Sequence, residues 1–291
     1  MISESMVCDC HSHVYGPYDR FPLAVSRTFV PPESPIEALE EVWRQIGVDR
    51  AVLIQGSAYA TDHAALLHAI ARDPDRRRGV AILPYDVEQV ELTRLHQAGV
   101  RGVRFNWVKH LQPTTTIDEA EALLYRVQPF GWHGEVHIDA HLLEEVERLT
   151  LPDGLPLVID HMARLDASLG LNQPLFTKLL QLLERDQMWV KLSGADRLTA
   201  SCSSVRAALP FMKALVQQAP EKCVWGLDWP HVNLNVARSD DELVALLEEA
   251  VPDEHTRRKI MLDNPAKLYG FPLSQLDTDT VKLHEQGAAA S

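Results

Sequence analysis

Short apolar runs alternate with amphipathic segments along almost the whole chain. Eight runs stand out: Met6–Asp9, Ala51–Gln55, Gly79–Leu83, Gly102–Phe105, Glu135–Ile138, Leu155–Asp160, Trp189–Leu192 and Cys223–Leu227. They are rich in Val, Ile and Leu and nearly continuous in hydrophobicity, as strands buried on both faces must be. Between them, apolar residues recur at helical spacing. Ile36, Leu39, Val42 and Trp43 fall on one stripe. Ser34 is the predicted N-cap of that helix, with Pro35 at its first position, Glu37 completing a capping box and Gly47 ending it. Leu66, Leu67 and Ile70 repeat the pattern after Thr61, as do Leu179, Leu180 and Leu183 after Pro174.

Eight strands alternating with helices, with no break in composition, predict an α/β fold: a single-domain TIM (β/α)₈ barrel over residues 1–272. Residues 273–291 are polar, end in GAAAS and read as a mobile tail. An open doubly wound sheet is the competing architecture. It would carry a glycine-rich phosphate turn after its first strand, and Cys10–Gly16 is rich in histidine instead. The segment Gly16–Ser34, with four prolines, is too long for a plain connection and reads as an active-site loop.

Composition narrows the function classes. The 291 residues are 46% apolar and 24% charged, as in an ordinary soluble protein. A net charge of −13 without a Lys/Arg run argues against nucleic acid or an anionic membrane surface as partner. An anionic ligand would need a local basic cluster. The four cysteines form neither CxxC pairs nor a disulfide scaffold and read as reduced thiols, hence a cytoplasmic protein. The opening MISESMVCDCHSHV lacks the pattern of a signal peptide, and no apolar stretch approaches the ~20 residues that span a bilayer. A homodimer is the base-rate expectation for assembly.

Barrel enzymes assemble their sites from the C-terminal ends of strands, so polar residues there are site candidates. Those ends carry His11 and His13, Ser57, Arg104, His137, His161 and Arg164, Arg197, and Asp228 with His231. Alternation along a strand sends His11 and His13 to one side, as two groups of one site would need. A bare pair of this kind is more often a core histidine beside a loop histidine. Matching His161 and Asp228 at other strand ends favours a shared site. A carboxylate such as Asp228 at a hydrophobic barrel mouth is costly unless paired, hydrogen-bonded or bound to metal, and capping of the next helix is its bland alternative. Arg104 and Arg197 are either surface ion-pair partners or an anion site, where guanidinium meets carboxylate bidentately. Asp160 is read as an orienting or capping group without a catalytic role. His63, His68, His96, His255 and His284 are read as solvated.

Taken together, DCHSHVYGP, QGSAYATDHAALLHAIA, AGVRGVRFNWVKHL, VIDHMAR, GLDWPHVN and MLDNPAKLYGF resemble the amidohydrolase superfamily, amidohydrolase-2 type, and its 2-pyrone-4,6-dicarboxylate lactonase branch. The resemblance implies the same barrel and a hydrolase of small anionic lactones in aromatic catabolism. It implies that Asp228 is the general base on water and passes the proton to the leaving ring oxygen. His11, His13 and His161 then polarise the carbonyl, and Ser57, Arg104 and Arg197 hold carboxylates. Arg164 and His231 complete the expected substrate-binding ring. The chain departs from the pattern where His110 replaces an arginine and where Phe29 and His137 replace tyrosines. The implied lactone is therefore 2-pyrone-4,6-dicarboxylate or a relative such as a sugar lactone or muconolactone. Many superfamily members bind zinc, whereas this branch resembles enzymes that work without metal, so no cofactor is expected. The alternative is one zinc at His11, His13, His161 and Asp228, in a zinc-dependent decarboxylase or metallohydrolase. A third reading is a catalytically silent barrel that binds a small anion.

Overall fold

The computed structural model describes residues 7–112, 115–202, 204–234 and 238–272, so the tail expected at 273–291 lies outside the described residues. Eight parallel strands form one sheet in sequence order: β1 (Cys8–Ser12), β2 (Arg50–Ile54), β3 (Arg77–Ala81), β4 (Val100–Trp107), β5 (His133–Ile138), β6 (Leu157–Ile159), β7 (Met188–Leu192) and β8 (Cys223–Trp225). Around them lie α1 (Ile36–Ile46), α2 (Ala64–Ala71), α3 (Gln89–Gln97), α4 (Ile117–Val127), α5 (Leu143–Arg148), α6 (Pro174–Leu182), α7 (Ala195–Leu198), α8 (Leu209–Gln218) and α9 (Asp240–Ala250). This is the TIM barrel that the apolar rhythm predicts. No helix among the described residues is long and apolar enough to cross a membrane.

Two apolar layers hold the barrel. Helix stripes such as Ile36, Leu39 and Trp43 of α1 pack on the outer faces of the strands. Inside, Cys8, Cys10, Val52, Ile54, Val80, Val158, Trp189 and Val224 form a plug with Tyr269 and Phe271. All four cysteines are unpaired thiols.

The ring closes where β1 meets β8, and side-chain chemistry does much of the closing. Asp9 Oδ1 accepts from the backbone N–H groups of His11 (3.0 Å) and Leu227 (2.9 Å). Its Oδ2 accepts from Ser12 Oγ (2.5 Å) and from Trp43 Nε1 (2.9 Å) on α1. Backbone bonds from Asp228 N to His11 O (2.6 Å) and from His13 N to Trp229 O (2.8 Å) continue the seam. One buried carboxylate thus satisfies four donors and ties first strand, last strand and first helix together.

Three sequence expectations shift. β1 begins and ends later than its apolar run because the polar residues His11 and Ser12 belong to the strand and are paired at the seam. Ser34 does not cap α1: Pro35 is the N-cap, and no side chain bonds there. Ser34 instead exchanges two backbone hydrogen bonds with Tyr15 (2.9 and 2.6 Å), which outweigh a single cap, and Glu37 pairs with Arg72. His63 is not solvated; it is buried, with Nε2 donating to the Ile82 carbonyl at 3.1 Å.

Candidate active site

The bulge in β1 decides where the histidine pair points. Between the pairs Asp9↔Ala51 and Ser12↔Leu53, β1 spends one residue more than β2. Strict alternation would send His11 outward with Asp9. The extra residue turns His11 inward after Cys10, a use of bulges common beside active sites. Gly226 makes room, since a Cβ there would lie 2.5 Å from His11 Cβ and 2.6 Å from its backbone nitrogen.

Above the apolar plug lies a layer of buried charge. Arg104 of β4 donates from Nε and Nη2 to Asp160 Oδ2, each at 2.8 Å. Lys191 of β7 donates to Glu135 Oε1 of β5, pairs with Asp160 Oδ1 at 3.2 Å and lies 3.1 Å from His11 Nδ1. Burial disfavours the Lys191 ammonium, yet Asp160 and Glu135 overcome that penalty and raise its pKa above the ordinary value. Burial would likewise raise Asp160, but Lys191 and Arg104 outweigh it and hold the carboxyl well below the usual range.

The next layer carries the predicted quartet. Asp228 Oδ1 lies 3.8 Å from His11 Nε2 and 3.7 Å from His13 Nε2, and its Oδ2 accepts from Arg197 Nε at 2.6 Å. His161 Nδ1 is 2.9 Å from Ser193 Oγ and 3.9 Å from Asp228 Oδ2. Neither Asp228 Oδ1 nor His11 Nε2 makes a hydrogen bond among the described residues. Both the His161–Arg164 turn (φ 49 to 59) and Asp228 (φ 67) have left-handed backbone. Non-glycine residues keep that conformation only where the surroundings impose it, and such residues cluster at functional sites.

All four site histidines have their pKa pushed below the ordinary value, which favours the neutral ring. Burial is the main cause, reinforced by Lys191 for His11, by Arg104 for His13 and His137, and by His11 for His161. His13 falls to about 3. Its Nδ1 lies 2.8 Å from the Ile54 carbonyl, which can only accept, so Nδ1 carries the proton and Nε2 is a lone pair. Burial pushes the Asp228 carboxyl up, with Arg197 opposing.

A cavity opens over this layer, lined by His13, Tyr15, Phe29, Ser57, Arg104, His110, Leu111, His137, His161, Arg197, Val232 and Asn233. Of the expected substrate-binding residues, Ser57, Arg104, His110, His137 and Arg197 meet there. Phe29 arrives from the long Gly16–Ser34 segment. Arg164 sits beside the lining, 3.4 Å from His137 Nε2 and 3.4 Å from Asp139. His231 is not part of the lining; it lies between Asp240 (2.8 Å) and Asp196 (3.4 Å). His11 and Asp228 are fully buried against lining residues rather than exposed to the cavity. Sequence reasoning gave no task to Lys191, Glu135, Tyr15 or Asn233. The available signal was a pair of opposite charges, Glu135 and Lys191, inside otherwise apolar strands.

Known proteins resemble the chain over most of its length. The amidohydrolase family model (Amidohydro_2) matches residues 8–271. A 2-pyrone-4,6-dicarboxylate hydrolase of Comamonas testosteroni is 32% identical over 271 residues, which is 90% of this chain and 89% of that protein. A 4-sulfomuconolactone hydrolase of Rhizobium radiobacter is 33% identical over 267 residues, 90% of this chain and 89% of that protein. The crystal structure of a putative 2-pyrone-4,6-dicarboxylic acid hydrolase from Pseudomonas putida is 34% identical, with a TM-score of 0.81 over 93% of this chain and 100% of that one.

Proposed function

The chain belongs to the amidohydrolase family, and on that footing we propose that it hydrolyses a small carboxylated lactone. The observation that carries the reading is Asp228: one oxygen held by Arg197, the other unbonded beside two neutral imidazoles. A buried carboxylate with a raised pKa is a competent general base. Asp228 Oδ1 takes a proton from water as the water oxygen bonds to the lactone carbonyl carbon. An imidazole N–H, such as that of His11, stabilises the resulting oxyanion and is worth roughly 10²–10³-fold; His13, expected from the sequence to polarise the carbonyl, presents a lone pair instead because its proton goes to Ile54. As the ring C–O bond breaks, Asp228 returns the proton to the departing oxygen.

Arg197 gives the substrate a route to the base. Arg197 holds Asp228 Oδ2 at 2.6 Å, and a substrate carboxylate is a rival partner of the same charge and geometry. Exchange of partners frees Asp228 Oδ2 as well as Oδ1 when the lactone docks against Arg104 and Ser57. Phe29, His110 and His137 supply bulk and neutral ring nitrogens where a dicarboxylate would want cations and hydroxyls. That favours a muconolactone or sugar lactone with fewer anionic groups over 2-pyrone-4,6-dicarboxylate itself. The unpaired thiols favour the cytoplasm.

Zinc fits the donor set poorly. His11, His13 and Asp228 do place ligand atoms within 4.8 Å of one another. A ligating imidazole, however, donates its other N–H to an oxygen, which raises its basicity. His13 does so toward Ile54, but the nearest partner of His11 Nδ1 is the Lys191 ammonium at 3.1 Å, with Asp160 Oδ1 at 3.5 Å and Glu135 Oε1 at 3.7 Å behind it. We therefore assign no step to a metal.

The test is a panel of carboxylated lactones, including 2-pyrone-4,6-dicarboxylate, muconolactones and sugar lactones, run on wild type and Asp228→Asn. Hydrolysis of at least one, lost by about 10³-fold in the variant, is expected. A wild type that opens none, or a variant that keeps its rate, refutes the reading.

A further inference from the structure

Hydrolysis by Asp228 leaves Lys191 without a task, although this lysine is wholly enclosed by the barrel. Its Nζ lies 3.1 Å from His11 Nδ1, closer than Asp160 Oδ1 (3.5 Å) or Glu135 Oε1 (3.7 Å) to the same nitrogen. An ammonium has three protons and no lone pair, so it meets a ring nitrogen only as donor. Lys191 donates to Glu135 Oε1, meets His11 Nδ1, and pairs with Asp160 Oδ1 at 3.2 Å without a hydrogen bond among the described residues. His11 Nδ1 is then bare, and the ring proton sits on Nε2, the nitrogen that faces Asp228 Oδ1. His13 is set the opposite way by the Ile54 carbonyl, with its proton on Nδ1 and a lone pair toward Asp228.

We propose that Lys191 is a positioning residue that fixes His11 as the Nε2–H tautomer, so that the first-strand pair works as one donor and one acceptor. His11 donates to the carbonyl oxygen of the lactone, and His13 accepts a hydrogen bond from the attacking water that Asp228 deprotonates. Without the ammonium, the His11 proton has an oxygen acceptor on the other side, at Asp160 or Glu135, and Nε2 loses its proton. The donor would become a second lone pair aimed at an oxyanion. The identity of the carbonyl rests on the hydrolase reading; the ring assignment does not.

NMR of the full chain labelled with ¹⁵N-histidine reads which ring nitrogen holds the proton, with His11→Gln identifying the His11 signals. Wild type is expected to show protonated Nε2 and bare Nδ1 at His11, and the reverse at His13. The pair Lys191→Met with Glu135→Gln removes one charge of each sign from the interior. It is expected to move His11 toward the Nδ1–H form and lower kcat about 10²-fold, with KM changed less than about threefold. A wild-type His11 protonated on Nδ1 overturns the proposal, whether or not any variant folds. So does a double variant in which either the His11 tautomer or kcat is unchanged. If wild type opens no lactone, the hydrolase reading falls, while the spectrum still decides the role of Lys191.

Discussion

Replacing His231 by glutamine converts the electrostatics beside the site into a stability measurement. The imidazole is 12% exposed and joins Asp240, at the start of α9, to Asp196 of α7, holding the Asp228–His231 turn against two helices. Burial alone would lower its pKa, but the two carboxylates outweigh burial and raise it from 6.5 to about 9. A folded-state pKa above the unfolded one means the folded protein binds the proton more tightly. The associated stability is therefore fully present below about pH 6.5 and lost as pH rises through about 9. At ~1.4 kcal/mol per pKa unit, the whole contribution is about 3 kcal/mol, and wild type loses it over that window. Glutamine keeps a hydrogen bond to Asp240 but no charge, so the difference from wild type should be about 3 kcal/mol at pH 6 and nearly gone by pH 9.5. Urea unfolding followed by tryptophan fluorescence, at half-unit pH steps, measures it. A difference that stays constant across the window, or grows with pH, refutes the pairing.

Three further outcomes follow from the geometry. Gly226→Ala sets a methyl 2.6 Å from the His11 backbone nitrogen, which cannot yield as a side-chain tip could; a loss of about 2 kcal/mol in unfolding and a fall in kcat are expected. Ser193→Ala removes the hydrogen bond to His161 Nδ1; at about 1 kcal/mol it should lower kcat roughly five- to tenfold, with the melting temperature nearly unchanged, in parallel kinetics and calorimetry. Prolonged dialysis against a chelator should leave kcat unchanged with metal well below one equivalent by elemental analysis, and activity restored only by added zinc would favour the metallohydrolase reading.

The strands were legible because a parallel sheet covered on both faces demands uninterrupted apolar runs, and these sequences supply them. The strand-end rule likewise brought His11, His13, His161 and Asp228 into one neighbourhood. What stayed hidden depends on contacts between distant segments. The β1 bulge leaves no mark in CDCHS, because an extra residue is defined only against the partner strand. Lys191 and Glu135 are 56 residues apart, so each alone looks like a flaw in an apolar run. His231 occupies a strand-end position, but α7 before it and α9 after it claim it with two carboxylates. Ser34 has the chemistry of a cap and is used instead by the backbone of Tyr15.

The Asp9 seam has a consequence for when the protein becomes an enzyme. Asp9 reaches Leu227 across 218 positions of chain, and the same join delivers Asp228 to His11 and His13. His11 and His13 belong to or follow the first strand and Asp228 follows the last, so the whole run of the barrel lies between the pair and its base. A barrel left open at this seam would keep Asp160 and Glu135 near His11 but would lack Asp228, the carboxylate that faces both histidines. Reactivity arrives in one step, when the two ends of the barrel meet.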